Sequence, residues 1–129
     1  MAFEIDNPDV VAEVMDVHRR YEQALIANDL DTLALLFWNN PKTVRFGPNG
    51  TLIGHAAISA YRQARRSGAG QRKAENLIVT TFGRDFAVTN QESKRPGSGG
   101  LARQSQTWVR TAAGWRIVSA HVSDEPVKP

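Results

Sequence analysis

The sequence predicts an α+β domain in which a strongly curved antiparallel β-sheet wraps three N-terminal helices. Two observations carry this. Apolar residues recur at helical spacing through the first third of the chain, and the second half alternates β-branched and aromatic runs with tight turns. A third observation bounds it: 129 residues leave room for one domain with one core and one pocket.

Asn7-Pro8-Asp9 reads as a helix start, with Asn as the cap, Pro at the first helical position and Asp near the positive end of the dipole. The helix runs to about Ala27. Val10, Val14, Val17, Tyr21 and Leu25 form its apolar face, with Arg19, Arg20, Glu22 and Gln23 around the rest, so Tyr21 points inward. Asp29 caps a second helix from Leu30 to about Phe37, ended by Trp38-Asn39-Asn40-Pro41. Thr43–Phe46 and Thr51–Ile53 are short strands joined by the turn residues Pro48-Asn49-Gly50. A third helix spans about His55 to Arg66, puts Ile58, Tyr61, Arg62 and Arg65 on one face, and stops at Gly68 and Gly70. Four longer strands follow as a meander: Asn76–Phe82, Phe86–Ser93, Gln104–Arg110 and Trp115–Val122. Their turns are Gly83-Arg84-Asp85, the looser Arg95–Gly100 and Ala112-Ala113-Gly114. The domain is read as residues 1–123, with Asp124–Pro129 as a tail.

Composition removes several classes of function. With 41% hydrophobic and 22% charged residues the chain is of ordinary globular type. It has no cysteine, hence no disulfide framework, thiolate nucleophile or thiolate metal site, and this fits a cytoplasmic protein. No apolar run reaches the ~18 residues of a membrane span, and the N-terminus starts acidic, unlike a signal peptide. Sixteen Lys and Arg against thirteen Asp and Glu leave a charge of +3. Arg62, Arg65, Arg66, Arg72 and Lys73 crowd the middle of the chain. Without interleaved aromatics or a recognisable motif they predict a solvated helix face or a small-anion partner, and no nucleic acid.

Cofactor and metal motifs fail on context. Gly97-Ser98-Gly99-Gly100-Leu101-Ala102 has dinucleotide-type glycines but precedes a strand, so no helix N-terminus would face a pyrophosphate. His18, His55 and His121 lack metal-ligand spacing. His18 and His121 with a carboxylate is the one arrangement worth naming, and the expectation is no metal and no cofactor. Asp29 and Asp31 read as capping residues.

What remains is a polar set inside otherwise apolar segments: Tyr21, Arg45, Arg62, Arg65, Gln104, Gln106 and His121. Each also has a plain structural explanation. Tyr21 fits a core tyrosine, Arg45 alternates with Val44 and Phe46 and faces solvent or pocket, and Arg65 fits a side chain snorkelling to water. Gln104, Gln106 and Trp108 share one strand face, with Ser105, Thr107 and Val109 on the other; the pattern leaves open which is concave.

The order of elements and the ending Trp115-Arg116-Ile117-Val118-Ser119-Ala120-His121-Val122-Ser123 resemble the SnoaL-like branch of the nuclear transport factor two superfamily, whose members are cone-shaped α+β domains. Arg20-Tyr21-Glu22, Leu36-Phe37-Trp38, Thr43-Val44-Arg45-Phe46-Gly47, Gly83-Arg84-Asp85-Phe86-Ala87 and Arg103-Gln104-Ser105-Gln106-Thr107-Trp108-Val109-Arg110 further resemble the AtzH-like family. That resemblance implies a decarboxylating amidohydrolase of cyanuric acid and s-triazine breakdown, turning 1,3-dicarboxyurea into allophanate, or an auxiliary protein of oxalurate catabolism. It implies catalytic roles for Tyr21 and Arg45, a homodimer or homotetramer, and for the auxiliary type a partner amidase. The residues suit such chemistry. A guanidinium fork holds a carboxylate by two parallel hydrogen bonds, so Arg45 and Arg65 fit the two carboxylates. Gln104, Gln106 and His121 complete the expected substrate-binding set, and Tyr21 fits a proton donor. The alternative is a non-catalytic binding or assembly subunit. An isomerase or cyclase of apolar rings would need a buried carboxylate base, and no Asp or Glu stands out as one.

Overall fold

The computed structural model describes residues 3–65, 72–94 and 100–126. Asn7 caps α1 (Pro8–Ala27) as its position predicts, its side-chain oxygen accepting from the amides of Asp9 and Val10 at 3.0 and 3.4 Å. Val10, Val14, Val17, Tyr21 and Leu25 are buried along one stripe, and Asn28 ends the helix in the left-handed conformation at φ 54°. Asp29 caps α2 (Leu30–Leu36), accepting from the Thr32 amide at 3.2 Å and its hydroxyl at 2.7 Å. Asn7→Ala removes the acceptor for both amides at the start of α1. It should lower the unfolding free energy by about 1 kcal/mol with an unchanged denaturant m-value in urea melts.

β1 (Val44–Gly47) and β2 (Gly50–Ile53) form the expected hairpin, and α3 (His55–Ala64) follows. That helix stops short of the predicted Arg66: Arg65 is already extended at φ −80°, ψ 133°, and Gly68 and Gly70 lie outside the described residues. The meander consists of β3 (Lys73–Phe82), β4 (Phe86–Lys94), β5 (Leu101–Thr111) and β6 (Gly114–Glu125). The predicted tail begins too early. Asp124 and Glu125 still pair with Ala102 and Leu101, because β5 starts at Leu101 and offers β6 a partner to the end.

The six strands run in the order β2-β1-β6-β5-β4-β3, and β1 lies parallel to β6, with Arg45 opposite Ala120. All other neighbours are antiparallel. The concave face is layered by register. One row is Ala87, Trp108 and Ile117; the next Thr89, Gln106 and Ala120; then Gln91, Gln104 and Val122. At one end Trp108, Trp115 and Ile117 meet Val10, Val14, Leu33, Leu36 and Phe37 of the helices in the apolar core. Toward the other end the rows turn polar. The sheet therefore closes over a hydrophobic base and opens at a hydrophilic mouth, which is where a small-molecule site forms in such an architecture.

Candidate active site

At the polar end a cavity of about 400 Å³ is lined by Tyr21, Arg45, Tyr61, Arg62, Arg65 and Gln104 among others. Each side chain arrives for a local reason. Tyr21 sits on the apolar stripe of α1 at 1% exposure, its ring edge-on to Phe37 at 6.0 Å. Its hydroxyl oxygen accepts a hydrogen bond from Arg62 Nη2 at 3.0 Å. A phenol that accepts from a guanidinium keeps its own hydrogen to give, and Tyr21 lines the cavity. Arg45 faces inward because β1 continues the sheet beside β6, aligning it with inward Ala120 and sending Phe46 outward with His121.

Arg45 is 7% exposed and Arg62 5%, and the Nε of each is buried with no hydrogen-bond partner. Among the described residues no carboxylate pairs with Arg45, Arg62 or Arg65. Burial and then the charges of Arg62 and Arg65 push the Arg45 guanidinium below its ordinary pKa. Tyr61 is displaced too: a hydrogen bond from Asn49 Nδ2 at 3.3 Å, followed by the charges of Arg65, Arg45 and Arg62, lowers its phenol pKa against a smaller opposing effect of burial. A cavity with this surplus of positive charge and unspent N–H donors is built to receive an anion.

Beside it lies a network that the sequence did not reveal. Glu22 receives Arg72 bidentately, Nε 3.1 Å from Oε2 and Nη2 2.8 Å from Oε1, and also accepts from Gln91 Nε2 at 3.1 Å and Gln104 Nε2 at 3.2 Å. Gln91 in turn meets His18 Nε2 at 2.8 Å. Glu22 is thus a neutralised anchor, not a free base, and Gln104 is fixed with its carbonyl oxygen left to accept an N–H. The available signal was helical: His18, Tyr21, Glu22 and Leu25 fall at steps of three, one and three on one broad face.

The predicted site residues divide. Tyr21, Arg45, Arg65 and Gln104 line the one cavity, joined by Arg62. Gln106 faces the same way but is 1% exposed and lies outside the cavity lining, its Oε1 3.4 Å from the Thr89 hydroxyl. His121 is excluded: it is exposed on the convex face, 5.8 Å from the Phe46 ring. A register shift against Thr107/Trp108 in β5 adds a residue to β6, so Ile117 and Ala120 both point inward and every later odd-numbered residue points out. His18 and His121 therefore lie on opposite faces and cannot share a metal, and the described residues contain no cluster of three His, Cys, Asp or Glu. The basic stretch is no solvated face, since Arg62, Arg65 and Arg72 turn into the cavity while Lys73 is exposed; Arg66 lies outside the described residues. A shallower depression of about 620 Å³ near Trp38 and His55 has no comparable surplus. Its His55 already donates to the Ala34 carbonyl at 2.7 Å, and Arg116 binds the Trp115 and Ala113 carbonyls.

Comparison with known proteins places the whole chain. The family model described as AtzH-like matches residues 3–126. The chain belongs to the AtzH-like family. A protein of unknown function from Pectobacterium atrosepticum, of the DUF3225 family, is 45% identical with a TM-score of 0.91, 94% of each chain being covered. A cystatin-like fold protein from Burkholderia xenovorans is 40% identical with a TM-score of 0.92, covering 98% of this chain and 100% of the other. An NTF2-like protein of unknown function from Pseudomonas putida, 19% identical over 91% of this chain and 87% of its own with a TM-score of 0.77, shares the fold. Nothing among curated proteins matches the chain. This AtzH-like chain thus has the NTF2-like fold, and among its described helices none is long and apolar enough to cross a membrane.

Proposed function

We propose that this AtzH-like protein is a decarboxylating amidohydrolase that takes a small dicarboxylated urea, 1,3-dicarboxyurea, to allophanate. The observation that carries the reading is the set of three inward guanidiniums without a paired carboxylate, one of them hydrogen-bonded to the Tyr21 hydroxyl. Arg45 and Arg65 take the two carboxylates, and Gln104 accepts from a urea N–H. In the chemical step the N–C bond to one carboxylate breaks, carbon dioxide departs, and the bonding pair stays on nitrogen. Tyr21 supplies the proton that nitrogen needs. The resulting phenolate is held by the Arg62 N–H that already points at it, and water reprotonates it after each turnover.

Purified protein alone, mixed with 1,3-dicarboxyurea, should release carbon dioxide and accumulate allophanate. Absence of turnover by the isolated chain, with capture of a pathway amidase instead, would favour the auxiliary-subunit reading. No step uses a metal, and the expected result with a chelator is unchanged turnover; loss on chelation with recovery on zinc would reverse this.

A homodimer or homotetramer fits the convex face, where Phe46, Ile78 and Phe86 are 43%, 61% and 54% exposed. Light scattering at tens of micromolar should give an even multiple of the 14.2 kDa chain, and a monomer would defeat the proposal.

A further inference from the structure

Asp124 also lines the cavity, but among the described residues no carboxylate pairs with Arg45, Arg62 or Arg65, so something other than ion pairing must hold these three like charges together. The Cζ atoms of Arg45, Arg62 and Arg65 lie 5.1, 5.9 and 5.8 Å from the centroid of one ring, that of Tyr61. These arginines come from separate places, β1, the last turn of α3, and the extended residue that follows it. A guanidinium within about 6 Å of an aromatic centroid is attracted by the ring's quadrupole, and that attraction survives where a carboxylate partner would cancel the charge. Backbone shape helps. Gly47, two residues after Arg45 on the same strand face, has no side chain, and a Cβ there would come within 3.1 Å of Arg45 Nη1 and 3.6 Å of its Cζ. Arg45 is thus free to lie along its own strand, between the Gly47 backbone and the Tyr61 ring.

We propose that the ring of Tyr61 is the positioning residue of the site, holding three guanidiniums as one preformed receptor for a small dicarboxylate. This rests on the dianion reading of the cavity given above. Tyr61 acts through the arginines: it sets the geometry of binding, and its hydroxyl, which accepts from Asn49, is not required for that role. Preformed receptors bind more tightly because the arginines need not be ordered, against their mutual repulsion, when the ligand arrives.

The test separates ring from hydroxyl and binding from chemistry. Glutarate, a stable dianion with the same number of chain atoms as dicarboxyurea, is titrated calorimetrically into wild type, Tyr61→Phe, Tyr61→Leu and Tyr61→Met at fixed ionic strength, with butyrate as the monoanion control. Tyr61→Phe should bind glutarate within about threefold of wild type. Both aliphatic variants should bind at least tenfold more weakly, with melting temperatures near wild type because Tyr61 is part-exposed. On dicarboxyurea the aliphatic variants should raise KM more than they lower kcat, and Phe should restore it. Equal binding by Tyr61→Leu, Tyr61→Met and wild type overturns the positioning role while leaving the dianion site standing. Weakening by Phe as large as by Leu assigns the effect to the hydroxyl and also overturns it. Wild type that binds glutarate no better than butyrate removes the dianion reading, and this inference with it.

Discussion

Tyr21→Phe is expected to fold and to lose about 10²–10⁴ in turnover of 1,3-dicarboxyurea, the range that positioned proton transfer contributes. The ring, 1% exposed and edge-on to Phe37, keeps its packing when only the oxygen is removed. The variant loses the proton that nitrogen needs as the carboxyl group leaves, together with the acceptor for Arg62 Nη2. A buried donor left without a partner costs about 1–3 kcal/mol, and at a cavity wall, where water can replace the phenol, the smaller end applies. The melting temperature should therefore fall by only a few degrees. The defect should appear in kcat, because the arginines proposed to bind the carboxylates, Arg45 and Arg65, are unchanged. Near-normal turnover by Tyr21→Phe would return this residue to the apolar core and end its catalytic assignment.

Arg45→Lys should be nearly as damaging, with turnover reduced about 10²-fold even at saturating substrate. Lysine keeps the positive charge and so much of the attraction, but it offers a point charge where the guanidinium offers a planar fork. It also lacks the guanidinium that sits beside Gly47 with its Cζ 5.1 Å from the Tyr61 ring centroid. A carboxylate held by one flexible ammonium is misaligned with Tyr21 in the reacting geometry, and more substrate does not correct alignment. If high substrate restores the wild-type rate, Arg45 contributes binding alone and the reacting carboxylate is held elsewhere. Because the charge is unchanged, the repulsion among Arg45, Arg62 and Arg65 is unchanged as well, and stability should stay close to wild type.

Local order was legible in the chain itself. Helix α1 and its cap at Asn7, the Asp29 cap of α2, the hairpin at Pro48-Asn49-Gly50 and the four long strands follow from periodicity, capping and turn chemistry, each of which acts over a few residues. The inward placement of Tyr21 belongs with these, since it is a matter of spacing along one helix. The strings that resemble the AtzH-like family imply roles for Tyr21 and Arg45, and the family model matching residues 3–126 shows the membership itself.

Only the tertiary structure decided which polar residues meet. Arg45 faces the cavity because β1 pairs in parallel with β6, a contact between residues some seventy-five positions apart in sequence. His121 faces away because one extra residue in β6 inverts the alternation after Ile117, an irregularity that composition does not mark. Glu22, Arg72, Gln91 and Gln104 become one network, and Tyr61 becomes the centre of three arginines, through contacts between helices and strands that no short spacing relates. Periodicity says which side of an element is buried. Which charges share that burial depends on the register of strands distant in sequence, and register is settled by the packing of the whole sheet on its helices.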